Sequence, residues 1–148
     1  MAEVEVGLGK SGRRAYGFDD IAIVPSRRTR DPEDVDIKWE IDAFSFDLPL
    51  MASAMDGVVS PSSAIAIGQL GGVGVLNLEG LWTRYEDPGK VFDEIAQLPS
   101  DIATARMQEL YAEPIKPELI TQRISEINAG GVISCAAITP QRPELYAD

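Results

Sequence analysis

Ser53, Met55 and Asp56 stand within four residues of one another, directly after the apolar run Leu48-Pro49-Leu50-Met51-Ala52. Such a run, ending in small residues, reads as a buried strand leading into a loop, Met55-Asp56-Gly57. In a parallel α/β fold, ligand sites are built at the carboxyl ends of strands. A ligand-binding loop and a loop that merely caps the sheet both fit that position. Cys135 is the only thiol and could in principle act as a nucleophile. It sits mid-strand in Val132–Ile138 with no basic residue nearby in sequence to lower its pKa, so it reads as core packing. Gly7-Leu8-Gly9-Lys10-Ser11-Gly12 matches G-x-G-x-x-G in form. That fingerprint works only between a strand and a helix whose N-terminus meets a pyrophosphate. Here EVEV precedes it and RRAYGFDD follows, so a flexible arm is the expectation. It is not a P-loop either, because Val4 stands where the first glycine belongs. Arg27-Arg28-Thr29-Arg30 reads as a solvated loop pairing with Asp31, Glu33, Asp34 and Asp36. The chain has no histidine, so the commonest general base and metal ligand are both missing, and no metal site is expected.

The elements that must position these residues follow from pattern. Residues 1–15 are expected to be an extended arm. Residues 16–40 are polar and irregular, with Pro25 and Pro32 arguing against a long helix and Ile21–Val24 a possible short strand. Ser60-Pro61 predicts a helix start, with serine as N-cap and proline at the first helical position. Ala64, Ile65, Ile67 and Leu70 supply its apolar face, and Gly71-Gly72 ends it. Val73–Asn77 is a second buried strand. Residues 88–97 suggest a helix with Val91, Phe92 and Ile95 inward, and residues 98–116 a mixed excursion. Pro117–Asn128 reads as an amphipathic helix striped by Leu119, Ile120, Ile124 and Ile127, closed by Gly130-Gly131. Val132–Ile138 is a third strand, and Pro140–Asp148 resembles the start of one more helix. Strands and helices in alternation predict a parallel α/β sheet. Pattern alone does not separate a barrel segment from a small doubly wound sheet.

Composition narrows the function classes. The 148 residues include 13 basic and 24 acidic side chains, a formal net charge of −11. That field repels nucleic acid, yet leaves room for a small anion at a helix N-terminus. A single cysteine excludes an internal disulfide and fits a reducing compartment. No apolar run approaches the ~18 residues of a membrane span, and the N-terminus lacks a signal-peptide core, so a cytoplasmic location is expected.

Three ordered segments carry a family resemblance. Phe18–Pro25 (FDDIAIVP) resembles the "FDDVLLVP" opening of IMP dehydrogenases and GMP reductases. Pro49–Asp56 (PLMASAMD) resembles their first barrel strand and loop, "PLVSSPMDTV". Gly71–Leu76 (GGVGVL) resembles "GGIGFIH" on the second strand. Asn77–Gly80, Thr83–Pro88 and Met107–Tyr111 are similar to the bacterial branch called IMP dehydrogenase-related. The resemblance implies the N-terminal part of a (β/α)8 barrel, about three strands, over residues 16–148 after an arm at 1–15. It also implies a purine 5′-monophosphate, IMP or GMP, bound at the carboxyl ends of the strands. On this reading Ser53 hydrogen-bonds the nucleotide, Met55 packs near the base and Asp56 orients the loop. The family's reaction starts with a cysteine thiolate attacking C2 of the base. Hydride then passes to NAD, or arrives from NADPH after ammonia leaves. A monovalent cation and a homotetramer belong to the same picture.

The sequence departs from the family in places. Gly57-Val58-Val59 replaces the usual Thr-Val-Thr, and Asn77 or one of its neighbours stands in place of the second-strand histidine. The paired regulatory module has no counterpart. No glycine-rich loop carries a catalytic cysteine. That loop, the phosphate loops and the cation loop would lie beyond Asp148, so the chain is expected to be inactive alone. GMP reduction and IMP oxidation both remain open. A non-catalytic barrel segment acting by association is the reading from a different class, and an independent nucleotide-binding domain is a third.

Overall fold

The computed structural model describes residues 3–25 and 30–141. The chain forms two compact units, Met1–Asp36 and Ile37–Asp148. The expected boundary lay after residue 15.

In the first unit, β1 (Glu3–Glu5) pairs antiparallel with β2 (Ser11–Arg13), Val4 opposite Gly12. The Val6 amide donates to the Lys10 carbonyl at 2.8 Å and closes the turn. The extended arm is therefore a hairpin, and the Gly7–Gly12 motif is its turn and second strand. No helix follows it; the next element is a 3-10 turn at Phe18–Asp20. The strand expected at Ile21–Val24 does not form. These residues are exposed and pair with no strand among the described residues, and Pro25 behind them lacks an amide to continue a ladder. Arg27, Arg28 and Thr29, and residues 142–148 of the expected last helix, lie outside the described residues.

The second unit opens with an antiparallel hairpin, β3 (Trp39–Ile41) and β4 (Phe44–Phe46). The Trp39 and Phe46 rings pack with centroids 5.1 Å apart, and the Trp39 indole donates to the Leu48 carbonyl at 2.7 Å. The chain then runs through β5 (Met51–Ala52), α1 (Pro61–Gln69), β6 (Val73–Asn77), a 3-10 turn at Leu81–Thr83, α2 (Pro88–Gln97), α3 (Ser100–Leu110), α4 (Pro117–Ala129) and β7 (Cys135–Ala137). The sheet order is β5-β6-β7, all parallel, with Met51 opposite Val73 and Val75 opposite Cys135.

Local chemistry explains the helix ends. The Ser60 hydroxyl accepts from the Ser63 amide at 3.0 Å, while the Ser63 hydroxyl accepts from the Ser60 amide at 2.8 Å. Two orphan donors are satisfied reciprocally, with Pro61 preset for the first turn. At the other end Gly71 takes φ 92°, its amide donates to Gly68 and that of Gly72 to Ile67. This left-handed cap turns the chain straight into β6. Leu70 is the C-cap and is 74% exposed, so it leaves the apolar face assigned to it. The stripe of α4 holds: Leu119 and Ile127 are buried, and Ile120 and Ile124 pack on the core. Val59, Ala64, Leu76, Leu78 and Ile127 form that core between sheet and helices. The valine, leucine and isoleucine side chains each contribute roughly 1.5–3 kcal/mol by leaving water.

The excursion of residues 98–116 contains a full helix, α3, which pattern did not reveal. Its one buried residue, Leu110, joins Leu81 and Val91 in a second small core with Tyr85, Phe92 and Ile95 around it. The third strand is three residues long, shorter than the seven expected.

Candidate functional site

The loop after β5 is wound tightly. The Met55 amide donates to the Ser53 carbonyl at 2.8 Å, and the amides of Val58 and Val59 both donate to the Met55 carbonyl at 2.9 Å. Val59, fully buried, pins the far end of the turn in the core. The winding leaves Met55 58% exposed although it is apolar. Ser53 is also exposed.

Asp56 points the other way chemically. Its Oδ2 accepts from the Leu81 amide at 2.9 Å and from the Tyr111 hydroxyl at 2.5 Å. Its backbone carbonyl accepts from the Trp82 indole at 3.2 Å. Its Oδ1 is buried with no hydrogen-bond partner. A Cβ on Gly80 would lie 1.8 Å from that oxygen, so only glycine lets the carboxylate reach the Leu81 amide. Asp56 therefore joins the loop after β5 to the turn after β6.

The polar ties continue across the sheet. The Arg84 guanidinium donates to the Glu79 carbonyl at 2.9 Å and to the Glu113 carbonyl, and it lies 5.9 Å from the Tyr111 ring centroid. The Glu79 carboxylate accepts from the amide and the hydroxyl of Thr139, both at 3.1 Å, just past β7. Burial is the main cause that pushes the Tyr111 hydroxyl above the ordinary tyrosine range, followed by its bond to Asp56 and that carboxylate's charge. Tyr111 thus stays protonated and able to donate at neutral pH. Arg123 is buried beneath the same turn and donates to the carbonyls of Trp82, at 3.2 Å, and Glu86, at 2.8 Å.

These elements wall a hollow of ≈ 470 Å³ at the carboxyl ends of β5 and β6. Met55, Asp56 and Asn77 line it with Phe92 from α2 and with Met107 and Tyr111 from the excursion. Structure thus gathers Met55 and Asp56 at one hollow, while Ser53 does not line it. Cys135 pairs with Val75, midway along the central strand. It is half-buried beside a separate apolar hollow of ≈ 230 Å³, with Phe46, Met51 and Val73. Pattern reasoning did not find Gly80, Arg84, Tyr111 or Arg123. Each has a partner far away in sequence, as with Tyr111 to Asp56 at 55 residues, Arg123 to Glu86 at 37 and Arg84 to Glu113 at 29, and periodicity carries no signal at that range. Among the described residues no cluster of three His, Cys, Asp or Glu could hold a metal ion, and no helix is long and apolar enough to cross a membrane.

Residues 15–117 match the IMP dehydrogenase / GMP reductase domain. A crystal structure of an IMP dehydrogenase/GMP reductase-like protein from Corynebacterium glutamicum superposes with a TM-score of 0.79 at 42% identity, over 98% of this chain and 40% of that one. An uncharacterized oxidoreductase of Mycobacterium leprae is 43% identical over 147 residues, 96% of this chain and 39% of that protein. An inosine-5′-monophosphate dehydrogenase of Methanocaldococcus jannaschii is 35% identical over 65 residues, 44% of this chain and 13% of its own length. The chain thus spans about 39% of the Mycobacterium leprae relative. Its three strands and flanking helices are the N-terminal part of a (β/α)8 barrel.

Proposed function

The chain belongs to the IMP dehydrogenase/GMP reductase family, and on that premise we propose that Met55, Asp56 and Ser53 form the corner of an oxidoreductase that receives a purine 5′-monophosphate. One observation carries the reading: an apolar side chain, Met55, is held exposed over the carboxyl ends of the strands, at the rim of a hollow. A thioether there suits the face of a flat base, which would cover it. Phe92 and Met107 extend the apolar wall, and Asn77 offers polar atoms to the ring edge. Ser53, exposed two residues earlier, offers a hydroxyl to the same nucleotide. Asp56 holds the loop rather than the ligand.

NAD or NADP comes with the family reading, but the Gly7–Gly12 segment does not hold it. Gly7–Gly12 is a hairpin turn with no helix behind it, so no pyrophosphate cradle is offered and no step is assigned through that group. Nor is Cys135 assigned as the nucleophile that attacks C2, because it lines a separate apolar hollow and not the one beside Met55. On this reading the chain supplies the nucleotide corner, and turnover requires a thiolate that this chain does not provide. A homotetramer is carried with the reading.

Kinetics of the protein carrying these residues test it. Met55→Ala is expected to raise the nucleotide KM about tenfold, a loss of about 1.4 kcal/mol of packing, with kcat nearly unchanged. Ser53→Ala is expected to raise the same KM with little change in thermal midpoint. Unchanged KM in both variants removes the loop from the site.

A second reading is favoured by the sheet itself. Among the described residues β5 and β7 each lack a strand on one side, and open edges invite association. A chain that pairs with a partner barrel and leaves nucleotide kinetics untouched by Met55→Ala would fit that reading instead.

A further inference from the structure

The excursion between β6 and α4 ends close to the loop that carries Met55, and the contact between them is specific. The Asp56 carboxylate has one oxygen walled off by Gly80 and left without a partner. All its side-chain hydrogen bonding therefore falls on Oδ2, shared by the Leu81 amide and the Tyr111 hydroxyl. Bonds to an ionised acceptor are about twice as strong as neutral ones, and the loss of one is felt fully when the other oxygen has no partner to offer. Tyr111 is the C-cap of α3, 55 residues from Asp56 in sequence. Its ring lies over Arg84, whose guanidinium is tied to the Glu79 and Glu113 carbonyls. The hydroxyl is thus presented from a braced ring rather than from a free side chain.

We propose that Tyr111 is a positioning residue: its hydroxyl latches Asp56, and with it the Met55 loop, to the α2–α3 excursion, so that this excursion sets the geometry of the nucleotide corner. The inference rests on the reading that Met55 meets the base. It adds that a segment outside the barrel strands controls how Met55 is held. Ser53-to-Val59 is a short, tightly wound loop, and a shift at Asp56 is transmitted to Met55 through the adjoining peptide.

Two tryptophans make the latch measurable without any nucleotide. The Trp82 indole donates to the Asp56 carbonyl and reports on the loop, whereas the Trp39 indole donates to Leu48 in the hairpin region and reports on the fold around it. Hydrogen exchange of both indoles is followed by NMR in wild type and Tyr111→Phe, which keeps the ring over Arg84. The latch predicts roughly tenfold faster exchange at Trp82 with Trp39 unchanged. Equal acceleration at both indoles means general loosening and overturns the latch, and no change at either overturns it too. Nucleotide KM then tests the role: a several-fold rise in Tyr111→Phe supports positioning, and faster Trp82 exchange with unchanged KM overturns it. An unchanged KM in Met55→Ala is a different failure, that of the base reading, and leaves the indole result standing.

Discussion

At the scale of single residues, the site depends on a side chain that is missing. Gly80 is required because Asp56 Oδ1 occupies the space where its Cβ would be, 1.8 Å away. Gly80→Ala must push the carboxylate off the Leu81 amide or move the turn after β6. Overpacking of this kind costs about 1–3 kcal/mol. Gly80→Ala is therefore expected to lower the thermal midpoint and to raise nucleotide KM together. Gly57, one residue past Asp56, has nothing within 4 Å of its Cβ position, so Gly57→Ala should leave the thermal midpoint unchanged. Calorimetry and kinetics on the two variants check the pair. Equal drops in thermal midpoint from both would mean that the loop is sensitive to any substitution, not to the Asp56–Gly80 approach.

At the scale of elements, α1 holds the loop from its far side. Ser60 caps the helix and Val59 anchors the preceding turn, so the cap and the site share one short segment. Ser60→Ala is expected to cost about 1 kcal/mol, read as a drop of a few degrees in thermal midpoint. A midpoint unchanged within error would mean that the capping box carries no stability. The start and end of this helix were legible in the sequence, because capping chemistry and a glycine pair are local signals, though Leu70 was misassigned to its apolar face. So was α4, whose isoleucine and leucine stripe repeats at helical spacing. The helix α3 was not, since its residues alternate small, polar and apolar types and only Leu110 is buried. Its helicity depends on docking against α2, where Arg106 bonds Glu94 at 2.5 Å. The hairpin β1–β2 escaped for a related reason: its pairing is a relation between two segments of three residues, too short for a period to appear. Met55 and Asp56 were legible as a loop at a strand end. What the loop is tied to was not, since Leu81 and Tyr111 lie in elements that only the fold brings to it.

At the scale of the molecule, the chain presents three parallel strands whose carboxyl ends are joined by side chains: Asp56 after β5, Glu79 after β6 and Thr139 after β7. A barrel places its chemistry on that face. Cys135, Met51 and Phe46 line a separate hollow, and that one is apolar. The contrast is the reason for assigning the nucleotide to the Met55 hollow and for setting Cys135 aside. The central claim is that these residues serve an oxidoreductase acting on a purine 5′-monophosphate. The most direct test is absorbance at 340 nm, using the protein purified from the cells that make it, supplied with IMP and NAD or NADP, and separately with GMP and NADH or NADPH. The account predicts a rise with IMP or a fall with GMP, in either case weakened by Met55→Ala through KM. A folded protein that carries these residues together with the attacking thiolate, and transfers hydride in neither direction, would contradict it.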